Sequence, residues 1–176
     1  MMVQGMREFR FETSVSVTSA APPEVVYDLV ADLGSHLDWS GERASDTFKL
    51  LTLDAPDGSA TVGTRFASTG ASDNGTFHDT SVVTEASRPT RFVFETDSRL
   101  ERTHGKTWEV HFSHRYDIVP DGEGSRIVYT DTVQRVNYVP YWLQPWFRPI
   151  TRRIIDRADT KQMGNLARLA EERATP

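Results

Sequence analysis

Cysteine is absent from the 176 residues, so disulfides, thiolate nucleophiles and cysteine-ligated zinc have no place in any account of this chain. A basic excess is missing too. Lys and Arg number 20 against 25 Asp and Glu, a formal charge of −5, which provides no cationic face for nucleic acid. No stretch approaches the ~18 consecutive apolar residues of a membrane span. The opening Met1-Met2-Val3-Gln4-Gly5 runs straight into charged, alternating sequence without the apolar core of an export signal, so the cytoplasm is the expected location. The motifs His-Glu-x-x-His, Gly-x-Ser-x-Gly and phosphate-cradling Gly-Lys-Ser/Thr do not occur. Neither a metal nor a cofactor is expected. His111 and His114 stand three apart on a strand and so face opposite ways.

What is present is ordinary globular composition, 38% hydrophobic and 26% charged, at a length that suits one domain. The reading is an N-terminal tail over 1–8 and a single domain over 9–173. From Phe9 to Ser19 the chain alternates, with Phe9, Phe11, Thr13, Val15 and Val17 on one side, the period of a half-buried strand. Pro22-Pro23 breaks it, and Val25, Val26, Leu29, Val30 and Leu33 take up helical spacing over about 22–32. Gly34 ends that helix, and a short second helix or turn carries His36, Leu37 and Trp39.

Six further strands are predicted at 47–53, 61–71, 76–86, 90–99, 106–119 and 125–136, separated by Asp57-Gly58, Asn74-Gly75, Arg88-Pro89 and Asp121-Gly122-Glu123-Gly124. Asn74-Gly75-Thr76 matches a glycosylation sequon and is read as a turn. Such short connections make consecutive strands antiparallel neighbours. Past Pro140 the strand signals stop. Ile150, Ile154, Ile155, Ala158, Gln162, Leu166 and Leu169 mark a long C-terminal helix, with Pro149 in its first turn or at a kink. The fold class is α+β, a curved seven-stranded antiparallel sheet wrapped around that helix, with two short helices after the first strand.

The turn chemistry also predicts register. If Pro120 faces Ser125, then Ile118 meets Ile127, Tyr116 meets Tyr129, His114 meets Asp131 and Phe112 meets Val133, while Ser113, Arg115 and Asp117 share the other face with Thr132, Thr130 and Val128. A slip of one residue would ruin this match. The Arg88-Pro89 turn pairs Val83 with Phe94. Similar arithmetic sets Phe92 near Phe112, Thr96 near Trp108, Phe66 opposite Val83 and Ser68 opposite Ser81.

The inward face then holds Phe66, Val83, Phe92, Phe94, Trp108, Val110, Phe112, Tyr116 and Tyr129, and among them Ser68, Asp79, Ser81, Thr96, His114 and Asp131. Aromatics with a few convergent polar groups make a small-molecule pocket. Two readings of His114 with Asp131 stay open. They satisfy each other beneath the helix as a buried polar pair, or they act in the pocket, the carboxylate orienting an imidazole that anchors a ligand or works as a general base.

The order of elements resembles the START-like, or SRPBCC, superfamily with its helix-grip fold, in particular the polyketide cyclase/dehydrase and lipid-transport branch. The resemblance rests on Val15-Ser16-Val17 with Ala21-Pro22-Pro23-Glu24-Val25-Val26-Tyr27-Asp28-Leu29-Val30, on Trp39, on Val62-Gly63-Thr64-Arg65-Phe66, and on Val82-Val83 with Arg88-Pro89-Thr90-Arg91-Phe92-Val93-Phe94. It implies a hydrophobic cavity between sheet and C-terminal helix, opened near the helix's start, where Trp146, Ile150 and Ile154 would complete the wall. It transfers no catalytic residue, and fold alone does not supply function.

The segment Tyr138-Val139-Pro140-Tyr141-Trp142-Leu143-Gln144-Pro145-Trp146-Phe147-Arg148-Pro149 departs from that pattern. It reads as a lid or plug on the cavity, or as a patch for a second copy, a partner or a membrane surface. Three functions follow: a binder or carrier of a small hydrophobic or aromatic molecule; a polyketide aromatase/cyclase or dehydratase using His114 and Asp131; and an interaction module acting through 138–149.

Overall fold

The alternation at the N-terminus forms the edge strand β1 (Arg7–Ser19), which begins ahead of the expected boundary at Phe9. The computed structural model describes residues 7–41, 48–72, 75–105, 107–137 and 144–175, with side chains undescribed at 7–10, 48, 144–148 and 151. Most of the aromatic segment 138–149 and the side chain of Trp146 therefore lie outside the described residues, as does Asn74.

Pro22 caps α1 (Pro23–Ala31) in extended conformation, with a proline just inside the helix, where its missing N–H costs nothing. A 3-10 turn (Leu33–Ser35) leads into α2 (His36–Ser40). The sheet continues with β2 (Phe48–Asp54), β3 (Arg65–Ser72), β4 (Gly75–Ser87), β5 (Arg91–Arg102), β6 (Trp108–Asp121) and β7 (Gly124–Val136), and the chain closes with α3 (Gln144–Ala174). Strand order is β1-β7-β6-β5-β4-β3-β2, every pair antiparallel. Seven strands thus form one meander whose first strand closes beside the last, with α3 across its face.

The β6–β7 register is the one predicted, with Ile118, Tyr116, His114 and Phe112 opposite Ile127, Tyr129, Asp131 and Val133. Val83 also meets Phe94 as expected. Three predictions need correction. Phe66 faces Ser81 and Ser68 faces Asp79, because pairing runs on to Ser72 opposite Gly75. Phe92 faces Tyr116 and Thr96 faces Phe112, because β5 extends to Arg102 before the chain turns. Both slips are even-numbered, so each side chain keeps its face. The strand expected from Thr61 starts only at Arg65, since Gly63 at φ 89° turns the chain.

The solid part of the core lies at one end of the sheet. Leu29, Val30, Leu33, Phe92, Ile118, Ile127, Met163 and Leu166 are almost fully buried there. The C-terminal half of α3 is fastened at this end, where Ser19 Oγ donates to the Ala167 carbonyl (3.1 Å) and Asn165 Nδ2 to the Trp39 carbonyl (3.3 Å). Toward its start α3 turns two of the expected residues to solvent, with Ile150 62% exposed and Ile154 45%. The predicted apolar row went astray here because a step of four residues overshoots one 3.6-residue turn by about 40°. Two such steps back from Ala158 carry Ile150 about 80° around the helix. The rest of the expected row, Ile155, Ala158, Gln162, Leu166 and Leu169, does face inward, joined by Asp159, Met163, Ala167 and Ala170.

Candidate functional site

Between the middle of α3 and the concave face of the sheet lies a cavity of about 230 Å³. Strand alternation delivers one wall. From β3 to β7 come Phe66, Ser68, Phe77, Asp79, Ser81, Phe94, Thr96, Phe112, His114, Tyr116, Tyr129 and Asp131. α2 contributes His36, Trp39 and Ser40, β2 contributes Leu50 and Leu53, and α3 roofs it with Ile155, Ala158, Asp159 and Gln162.

Of the residues expected in the pocket, Phe66, Ser81, Phe94, Thr96, Phe112, Tyr116 and Tyr129 line it, and so do His114 and Asp131. The others do not. Val83 and Phe92 are buried in the solid core, where the ring of Phe92 packs edge-on against Tyr27 at 6.1 Å. α1 packs on the end of β5 that carries Phe92, and both residues belong to the same buried apolar cluster. Val110 packs with Val133, Val136 and Phe11 in a second apolar cluster. Trp108, opposite Leu100 at the far end of β6, stacks under the Arg102 guanidinium at 4.3 Å. Ile150 and Ile154 are exposed on α3.

Leu50, Leu53, Phe77 and Asp159 escaped the sequence reading, and His36, Trp39 and Gln162 were placed on helices without being assigned to the pocket, although one signal was legible. Asp159 is an acidic residue on the apolar stripe Ile155–Ala158–Gln162, a spacing that turns it inward.

His114 sits among rings, 4.7 Å from Phe94 and 5.6 Å from Phe112. Its Nδ1 shares a hydrogen bond of 2.7 Å with the Tyr129 hydroxyl, while Asp131 Oδ1 is 3.6 Å away. Burial, aided by His36 and His111, lowers its pKa to about 3. Burial likewise holds His36 down at about 4, and its Nε2–H donates to the Val30 carbonyl at 2.8 Å. Both rings are neutral near pH 7. His111 points to the opposite face, its Nδ1 2.6 Å from Asp97 Oδ1.

The carboxyls shift the other way. Burial raises Asp131 well above the usual carboxylate range, with the Asp159 charge adding to it. Asp159 is pushed up to about 7 by burial and by Asp156, although Thr13 Oγ1 donates to it at 3.5 Å. Asp79 rises to about 6, chiefly by burial. Tyr116 and Tyr129 are raised by burial too and keep their protons. A neutral carboxylic acid can donate or accept a hydrogen bond, so the cavity offers several adaptable polar groups within an aromatic lining. Ser81 Oγ and Thr96 Oγ1, by contrast, bond to each other at 2.8 Å.

A curved antiparallel sheet closed round one long helix, with an aromatic-lined void between them, defines a helix-grip protein. The chain belongs to the polyketide cyclase / dehydrase and lipid transport family, whose profile matches residues 10–171. That membership supports a ligand-binding role. Among solved structures, the chain is similar to an uncharacterized protein of Rhizobium leguminosarum, at 12% identity and TM-score 0.66, over 96% of this chain and 98% of that one. A protein of Thermus thermophilus matches at 17% identity and TM-score 0.65, over 94% of this chain and 100% of that one. Ara h 8.0201 matches at 13% identity and TM-score 0.62, covering 92% and 98% respectively. At these identities the likeness is one of fold. No curated protein matches the chain. No helix among the described residues is long and apolar enough to cross a membrane.

Proposed function

We propose that the chain binds, and in that bound form carries, a small and largely apolar or aromatic molecule between the sheet and α3. The observation that supports this most strongly is the cavity itself. Its aromatic rings offer contact area, while His114, Tyr129, Asp131 and Asp159 offer polar groups that fix orientation. Apolar surface removed from water at roughly 25 cal/mol per Å² is the main source of affinity for such a ligand. Native mass spectrometry and organic extraction of the purified protein test the reading. A stoichiometric small molecule, or saturable uptake of one added from solution, is the expected result; failure of both would remove it.

A cyclase or dehydratase is the second reading, and the Asp159 carboxyl that α3 turns into the aromatic-lined cavity favours it. The roles differ from those first expected. An imidazole held at about 3 is a weak base near neutral pH, whereas Asp159 at about 7 is matched to proton transfer there. In this reading the Asp159 carboxylate removes a proton from a methylene flanked by carbonyls. The enolate carbon bonds to a second carbonyl carbon, and that oxygen takes up the proton that Asp159 removed. Single-turnover conversion of a poly-β-ketone probe, lost in Asp159→Asn, is its signature. Retention of turnover in Asp159→Asn would dismiss it.

A further inference from the structure

The charge of the cavity lining is one-sided. Asp79, Asp131 and Asp159 face it, and among the described lining residues there is no Lys or Arg. Its two imidazoles, His36 and His114, are neutral. An acidic lining alone specifies nothing, but the hydrogen bonds add an independent fact. Asp131 is only 6% exposed, and its Oδ1 has no hydrogen-bond partner. Buried polar atoms are nearly always paired, so this oxygen is an acceptor awaiting a donor. Asp79 Oδ1, three strands away on β4, is in the same condition.

Resting on the reading of the cavity as a ligand site, we propose that its ligand carries a protonated amine on an aromatic or alicyclic skeleton, and that Asp131 together with Asp159 receives the nitrogen. Asp131 and Asp159 flank the same residue, Thr13, which stands opposite Asp131 across the β1–β7 pair and donates to Asp159, and the Asp159 charge adds to the cost of ionising Asp131. A cation between them removes that repulsion and donates to the free Oδ1. An ammonium has donors in excess and no acceptor, which complements a carboxylate pair. The surrounding rings of Phe94, Phe112 and Tyr129 present π-faces that attract cations. The same lining discriminates against fatty acids and other anions, whose carboxylate would meet acidic groups and no guanidinium or ammonium.

Three matched probes test this near neutral pH: 2-naphthylmethylamine, 2-naphthylmethanol and 2-naphthoic acid, with the non-basic N-phenyl-1-naphthylamine as a neutral reference. The amine is expected to bind about tenfold or more tightly than the alcohol, with the acid weakest. Asp131→Asn is expected to remove that advantage, so that amine and alcohol bind this variant with similar affinity. If Asp131→Asn does not fold, Asp159→Asn is read the same way, and the probe series on the unaltered protein stands by itself. Alcohol or acid binding as tightly as the amine would overturn the proposal and leave the carrier reading intact, as would uptake of the neutral reference alone. Failure of all four probes to bind would overturn the carrier reading, and this inference with it.

Discussion

Across the β6–β7 pair His114 stands directly opposite Asp131, yet its imidazole shares a hydrogen bond with Tyr129, the diagonal neighbour. Nδ1 is 2.7 Å from the phenolic oxygen and 3.6 Å from Asp131 Oδ1. Side chains two residues apart on facing strands are within reach when one of them is long. A tyrosine spans the diagonal, and the shorter aspartate is left with an unpartnered oxygen.

Tyr129→Phe therefore leaves a buried imidazole nitrogen without its partner. A loss of about 1–2 kcal/mol in urea-unfolding stability is expected. His114→Phe in the Tyr129→Phe background should recover part of it, because an added ring suits the stack between Phe94 and Phe112. Strict additivity of the two changes would mean that the bond contributes nothing.

The attachment of α3 is unequal along its length. Leu166 and Met163 are fully buried, so Leu166→Ala should cost about 2–5 kcal/mol. Ile154→Ser, at a position 45% exposed, should change stability by about 0.5 kcal/mol or less. Equal costs at the two positions would contradict a helix fastened at its C-terminal half.

Asp159 makes stability depend on pH with a definite sign. Its folded pKa of about 7 exceeds the ordinary 3.8, so its contribution is complete below 3.8 and is lost as pH rises to about 7. His36, lowered from 6.5 to about 4, acts oppositely: its contribution is complete above 6.5 and is lost as pH falls toward 4. The wild type is therefore best read against Asp159→Asn. Relative to that variant, its unfolding free energy should fall by about 4 kcal/mol between about pH 4 and about pH 8. A constant difference, or one that grows with pH, would contradict the burial ascribed to this carboxyl.

Much of this architecture was legible because strand pleating has a period of two. The register mistakes at Phe66 and Phe92 were even-numbered, so those residues still fell on the inner face. What periodicity cannot report is where along a strand the helix presses. Val83 and Phe94 face each other on one surface, yet Val83 is sealed in the core and Phe94 borders the void. That difference depends on how α1 and α3 cross the sheet, a long-range relationship without a local sequence signature. Asp159 lies between Ala158 and Gln162 on the inward stripe of α3, so its direction is legible in the 3.6-residue period.

The cavity's capacity for an apolar guest is tested most directly by titrating the purified protein with N-phenyl-1-naphthylamine, alongside an Ala158→Leu variant. Ala158 lines the roof of the void and is itself nearly buried, so the larger side chain projects into the space a ligand needs. Saturable binding of one probe per chain, weakened about tenfold or more in a folded Ala158→Leu, is the predicted result. Saturable binding that ignores the substitution, or no binding by the wild type, would contradict it.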